Sequence, residues 1–216
     1  MIPGIAEYID IDVDVDYYHL IFEKVADIEF NTFGKTQWHS YALEDNRTGV
    51  DTEYSQDFHR ILEEQRSVHP YMQKRSTGFN YAGSAEKDLF IHSDIDLDTE
   101  HPKHFNLIIP IFGSALISYY KTREEDIWLP EKNAHGYAYY HEFKKRLDDD
   151  YEDFKRENKI GEIVVEPGKP VLLDTFIMHG VEILEAPRLA WCSRWNNIPA
   201  HHDFYTWKAR VEKILG

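Results

Sequence analysis

The stretch GKPVLLDTFIMHGV (residues 168–181), followed by RLAWCSRW (residues 188–195), decides how this chain is read. Pro167-Gly168 marks a tight turn. The turn feeds a short apolar run, Pro170 to Asp174, that reads as a buried strand, and a brief loop then ends on His179. In the second part Arg188, Ala190, Cys192 and Arg194 fall two apart, so a strand turns all four to one face. Small residues between two inward arginines leave room for a ligand. A buried guanidinium requires an anionic partner, and its planar fork matches a carboxylate.

Working outward, Leu89 to Asp94, Phe105 to Phe112, Ala115 to Lys121 and Gly161 to Glu166 are further short β-prone runs separated by turn chemistry. Such a string predicts an all-β sandwich or barrel core, with helices from the first half of the chain packed outside. The charged stretch Tyr139 to Lys159 has no glycine or proline, and its Tyr140, Phe143, Leu147, Tyr151 and Phe154 recur at three- and four-residue spacing. That pattern predicts a surface helix inserted among the strands. Helices are also expected at Thr52 to Ser67 and Asp203 to Leu215. A strand is expected at Ile9 to Asp16, where apolar and acidic residues alternate. The acids there do not make a calcium loop, which needs a glycine at its turn and a closing glutamate. One domain is expected over 1–216, with residues 1–87 as helical and strand support and 88–200 as the core carrying the helical insertion near 139–159.

The totals exclude several classes. The 216 residues include 24 basic and 39 acidic side chains, for a formal charge of −15. A chain so acidic is poorly suited to a nucleic-acid backbone or an anionic membrane. Its single cysteine forms no internal disulfide and no zinc ribbon, which points to a reducing, cytoplasmic setting. Residues Met1 to Asp10 carry no basic, apolar leader. The longest apolar stretch, Phe105 to Ile117, is interrupted by Asn106, Pro110, Gly113 and Ser114 and is shorter than the roughly 20 residues a membrane helix needs.

The 12 histidines are the remaining puzzle. In His92-Ser-Asp94 the outer two residues share one face of a strand. If the strands fold back as a double sheet, His179 returns to them. Two histidines and one carboxylate then occupy one face of an octahedral ion, the facial triad of non-haem Fe(II). The neighbouring candidates read otherwise. Asp96 and Asp98 are solvated loop acids, His101 and His104 flank Pro102 in a loop, and His201-His202 is surface. Cys192 is a small buried side chain rather than a nucleophile. Trp38, Trp128, Trp191, Trp195 and Trp207 suit the core or a pocket wall.

His92-x-Asp94, then His179 with Gly-Val after it, then Arg188 nine residues on, resembles the 2-oxoglutarate and Fe(II)-dependent dioxygenases. Phe105-Asn106-Leu-Ile-Ile-Pro110 is similar to the strand after the metal motif in some members, and the resemblance runs from Leu89 to Trp195. It implies a double-stranded β-helix core, jelly-roll and cupin-like. It also implies that His92, Asp94 and His179 hold Fe(II) and that Arg188 anchors the far carboxylate of 2-oxoglutarate. Arg194, Asn106 and Tyr119 are further co-substrate contacts under that reading. Arginines six apart resemble the nucleic-acid-repair branch, which usually carries a basic surface that this chain lacks, so whether Arg188 or Arg194 is the anchor stays open. The implied reaction consumes O2 and 2-oxoglutarate, releases succinate and CO2, and hydroxylates a C–H of a small molecule or an amino-acid side chain. Nucleic acid and membrane are not expected as partners. Gln73 to Ser84 and the inserted helix are candidate lids. The alternative is a non-catalytic cupin-like protein that binds a metal or small ligand.

Overall fold

Apolar residues in the two longest strands change face halfway along, and the architecture follows from that change. The computed structural model describes residues 1–25, 31–32, 38–42, 78–83, 89–95, 104–122, 127–128, 139–143, 151–195, 198 and 202–215. In chain order the strands are β1 (Ala6–Tyr8), β2 (Asn31–Thr32), β3 (Trp38–Ala42), β4 (Gly78–Ala82), β5 (Leu89–Ile95) and β6 (Phe105–Tyr120). They continue with β7 (Ile127–Trp128), β8 (Tyr139–Phe143), β9 (Lys159–Val165), β10 (Val171–Asp174) and β11 (His179–Trp195). The helices are α1 (Val15–Val25), α2 (Tyr151–Asn158) and α3 (Phe204–Leu215).

The first half of β6 pairs with β10 and with the second half of β11. Its second half pairs with β9 and with the first half of β11. Both strands therefore belong to two sheets. One runs β1-β10-β6-β11-β4-β3-β2, and the other runs β9-β6-β11-β5-β8-β7. All the pairings are antiparallel. This is a double-stranded β-helix: the strand pattern predicts the mainly β core with flanking helices, and the family resemblance implies its cupin-like form.

The crossing point explains the change of face. Before Gly113 the even residue Ile108 of β6 joins the interior cluster, whereas beyond it the odd residues Ala115, Ile117 and Tyr119 do. In β11 the interior residues are Val181 and Ile183, then Ala190 and Cys192, with register shifts between Ile183 and Ala190. Gly113 has a φ of +66°. A Cβ there would lie 2.6 Å from the Glu185 carbonyl oxygen and 2.7 Å from Arg188 Cα, so only glycine lets the strands pass so closely.

The outward faces are covered separately. Phe105, Leu107, Ile109, Leu189, Trp191 and Trp195 of the first sheet pack against Tyr18 and Phe22 of α1 and Phe204, Trp207 and Val211 of α3. Behind the second sheet, Ile91, Tyr120 and Met178 meet Tyr151 and Phe154 of α2. Asp203 caps α3, its carboxylate accepting the Thr206 N–H at 2.7 Å. No helix among the described residues is long and apolar enough to cross a membrane.

Four expectations change. Residues 9–14 form no strand, although exposure still alternates from buried Ile9 to exposed Asp10, Asp12 and Asp14. Asp14 instead accepts the Tyr17 N–H at 3.0 Å and starts α1. Among the described residues of the expected helix over 139–159, Tyr139–Phe143 form a strand paired with β5 and Tyr151–Asn158 form a helix. The two runs on either side of Gly113 are one continuous strand. Gly78–Ala82 is no lid, because it is hydrogen-bonded into the core sheet between β11 and β3. The helix expected at Thr52 to Ser67 lies outside the described residues.

Candidate active site

The strand ends at one mouth of the barrel collect the polar groups. β5 delivers His92, whose backbone faces His179 at the start of β11. β6 returns Tyr119 opposite His179 on its other side, and Asn106 lies opposite Arg194. The His92 and His179 rings stand 4.5 Å apart between centroids, tilted by 48°. His92 Nε2 is 3.8 Å from Asp94 Oδ1, and Arg194 Nε is 3.8 Å from Asp94 Oδ2. The Tyr119 ring lies 5.6 Å from that of His179.

The short loop between β10 and β11 braces this group. The Thr175 carbonyl accepts the Asp94 N–H at 2.8 Å, and the Thr175 N–H donates to the His104 carbonyl at 2.9 Å. The Ile177 carbonyl lies 2.8 Å from His179 Nδ1, which assigns the ring proton to that nitrogen and leaves Nε2 as a donor atom for an ion. The Met178 carbonyl takes the Tyr120 N–H at 3.0 Å. A segment of backbone carbonyls thus fixes β5 against β11 at the level of the histidines.

Electrostatics follow from burial. Burial pushes Asp94 up, but the Arg194 guanidinium above all, with the neighbouring His92, His179 and His104 rings, outweighs it and holds the carboxyl below its usual value. His179 is pushed down to about 4 by burial and then by His92, so it is a neutral imidazole at neutral pH. Burial and the charges of Asp174 and Asp94 hold the Tyr119 phenol well above its ordinary range, so it is a neutral hydroxyl. Burial lowers Arg188. Three buried oxygens, Asp94 Oδ1, Asn106 Oδ1 and Tyr119 Oη, have no hydrogen-bond partner among the described residues. Leaving such atoms unsatisfied costs about 1–3 kcal/mol each, so a site holding several together is suited to a ligand.

The donor chemistry fits a hard or borderline divalent ion: two imidazoles, one carboxylate, and a second imidazole nitrogen pinned by a carbonyl. As the side chains stand, no three His, Cys, Asp or Glu groups among the described residues close around a common point. His92 Nε2 faces Asp94 Oδ1 across 3.8 Å.

Arg188 lies near the middle of β11, just past the crossing, and Arg194 lies near its C-terminal end. Arg188 is 2% exposed and opposite Ala82 of β4. Six residues of strand separate the two arginines by roughly 20 Å of backbone. The barrel is sealed on one flank by the N-terminal turn: Ile2 packs against Gly161, and the Ile5 carbonyl takes the Asp174 N–H at 2.7 Å. The side chains of His92 and Arg194 remain 14% and 23% exposed.

His104, expected in a loop, lies outside the strands but is buried and close enough to act on Asp94. Asp96, Asp98, His101 and His201 lie outside the described residues. Asn80, which the sequence did not single out, enters the interior from β4 and donates from Nδ2 to Cys192 Sγ at 3.0 Å. Its only sequence signal is its place between Phe79 and Tyr81, whose alternation marks a strand.

No family model matches the sequence, and no curated protein matches it. Solved structures do. SnoK, a non-heme alpha ketoglutarate dependent carbocyclase from nogalamycin biosynthesis, is 12% identical with a TM-score of 0.51, over 88% of this chain and 79% of that one. The chain has the fold of the alpha-ketoglutarate-dependent non-heme enzymes. The epimerase SnoN, in complex with Fe3+, alpha ketoglutarate and nogalamycin RO, is similar at 10% identity and a TM-score of 0.50, over 88% of this chain and 78% of that one. AviO1 from Streptomyces viridochromogenes Tue57 is similar at 11% identity and a TM-score of 0.51, over 91% and 90%.

Proposed function

We propose that this protein is an Fe(II)- and 2-oxoglutarate-dependent oxygenase that hydroxylates an unactivated C–H of a small molecule or amino-acid side chain. The observation that carries the reading is the gathering of His92, Asp94 and His179 at one mouth of the barrel, with unsatisfied Asp94, Asn106 and Tyr119 oxygens beside them. His92, Asp94 and His179 hold the ion. Bound there, Fe(II) supplies the redox chemistry that couples O2 and 2-oxoglutarate to C–H oxidation. Arg188 receives the far carboxylate of the co-substrate inside the barrel. Arg194 steadies Asp94 and faces the carboxylate nearer the ion, and Asn106 and Tyr119 hydrogen-bond that end. Neutral His179 is ready to ligate without losing a proton. The nogalamycin RO bound to SnoN supports a small-molecule substrate.

The test is anaerobic titration of the metal-loaded protein with 2-oxoglutarate. A visible metal-to-ligand charge-transfer band is expected. Metal binding without that band would remove the oxygenase reading and leave a cupin-like metal-binding protein.

A further inference from the structure

The interior face of β11 carries a sulfur between its two arginines. Cys192 is the chain's single cysteine and is 2% exposed. It sits two positions from Arg194 and four from Arg188 on the same face of the strand. Burial pushes its thiol up, whereas the charges of Arg188 and then Arg194 pull it down, so both guanidinium groups are felt at the sulfur. Ala190, the residue between Arg188 and Cys192 on this face, contributes only a methyl group. On β6, Ile108 lies opposite Cys192 and Asn106 opposite Arg194. Asn106 is 4% exposed, and its side-chain oxygen has no partner among the described residues. A strip with a cation at each end, a buried amide in need of a partner and a soft, uncharged middle has the polarity of a dicarboxylate's binding site.

We propose that Cys192 is the specificity wall of that site, its sulfur packed against the carbon chain of bound 2-oxoglutarate between the two carboxylates, and that Asn80 holds it there. This rests on the function proposed above. A small sulfur side chain suits the role because it adds polarisable contact without a charge or a strong hydrogen-bonding demand beside the methylenes. The Asn80 amide, reaching from β4, donates to the sulfur at 3.0 Å and so acts as a positioning residue for it. Nucleophilic chemistry is not part of the role, since a buried thiol with a raised pKa is a slow nucleophile.

The single thiol reports on its own site. The whole protein is loaded with Mn(II), which prevents turnover, and its alkylation by iodoacetamide is followed by intact mass. Saturating 2-oxoglutarate is expected to slow formation of the single adduct by about tenfold, following the bound fraction. Asn80→Ala is expected to accelerate it in the absence of co-substrate. Binding of 2-oxoglutarate is read in parallel by quenching of tryptophan fluorescence. If 2-oxoglutarate binds and the alkylation rate is unchanged, the wall is elsewhere and the proposal is overturned while the oxygenase reading stands. If 2-oxoglutarate does not bind the Mn(II) protein at all, the oxygenase reading itself fails. Two variants separate contact from general tightening of the fold. Cys192→Ser is expected to keep affinity for 2-oxoglutarate within about threefold, and Cys192→Met to weaken it by about tenfold through overpacking while leaving Mn(II) affinity intact. Unchanged 2-oxoglutarate affinity in a folded Cys192→Met protein would also overturn the proposal.

Discussion

Two glycines with nearly the same φ give a controlled test of the crossing. Gly113 has φ +66° and Gly168 φ +74°. Alanine at either position pays the left-handed preference, about 1–2 kcal/mol. Beyond that they differ completely. A Cβ on Gly168 meets nothing within 4 Å. A Cβ on Gly113 collides with backbone: the carbonyl oxygens of Pro187 and Glu185, and Arg188 Cα at 2.7 Å. Backbone cannot rotate away as a side chain can, so β6 and β11 must separate by roughly 1 Å along a shared ladder that packing normally keeps rigid. Gly168→Ala is therefore expected to cost about 1–2 kcal/mol, and Gly113→Ala more than about 4 kcal/mol. For a chain of this size each kcal/mol lowers Tm by about 2–4 °C. Urea denaturation with both variants in parallel measures the difference. Equal midpoints for the two would refute the claim that close passage, rather than dihedral preference, fixes Gly113. Because the clash includes Arg188, residual folded Gly113→Ala protein is also expected to bind 2-oxoglutarate poorly.

Arg188→Ala is expected to weaken 2-oxoglutarate by about 2–5 kcal/mol while Mn(II) affinity changes little, as loss of one partner of a buried charged pair predicts. Calorimetry measures both, and an equal loss from Arg194→Ala alone would move the anchor to that position. A third prediction concerns acid stability. Burial pushes Glu7 up, but the Gly4 N–H and Lys208 outweigh it and lower its pKa below 4.5, with Lys208 Nζ at 2.9 Å. A carboxylate depressed in the folded state contributes stability that is complete above its unfolded pKa and lost as pH falls through the folded value. Glu7→Gln is therefore expected to lower stability at neutral pH and to flatten the fall below pH 4.5. An unchanged acid limb in a denaturation series across that range would remove Glu7 from the account.

The parts of the site readable in the sequence are those governed by local periodicity. Arg188, Ala190, Cys192 and Arg194 share a face because they lie on one uninterrupted half-strand, and two-residue spacing needs no knowledge of the rest of the fold. Asn80 was missed for the opposite reason. Its strand is short, begins at a glycine, and acquires meaning only when it pairs with β11. His104 shows the same limit: Pro102 nearby suggests a loop, yet its carbonyl is taken by Thr175 and its ring is buried. At Tyr139–Phe143 charge and the absence of glycine predicted helix, whereas pairing with β5 made strand. Edge pairing overrides propensity where a neighbour offers free backbone groups. The acidic alternation of residues 9–14 failed as a strand because alternation records which side faces the protein, not whether a partner is present.

His179 and Arg188 are an odd number of residues apart, so on a continuous pleat they would point to opposite sides. They face the same interior only because the register slips where β11 passes from one sheet to the other. The crossing acts as a phase shifter. The half that carries the proposed metal ligand and the half that carries the proposed anchor can each be altered by ordinary substitution without disturbing the other's orientation. A change of length between Leu184 and Pro187, in contrast, either turns both arginines out of the barrel or resets how deep they sit below the histidines. Under the proposed function, the distance between ion and anchor is therefore set by a few residues that form no part of the binding surface.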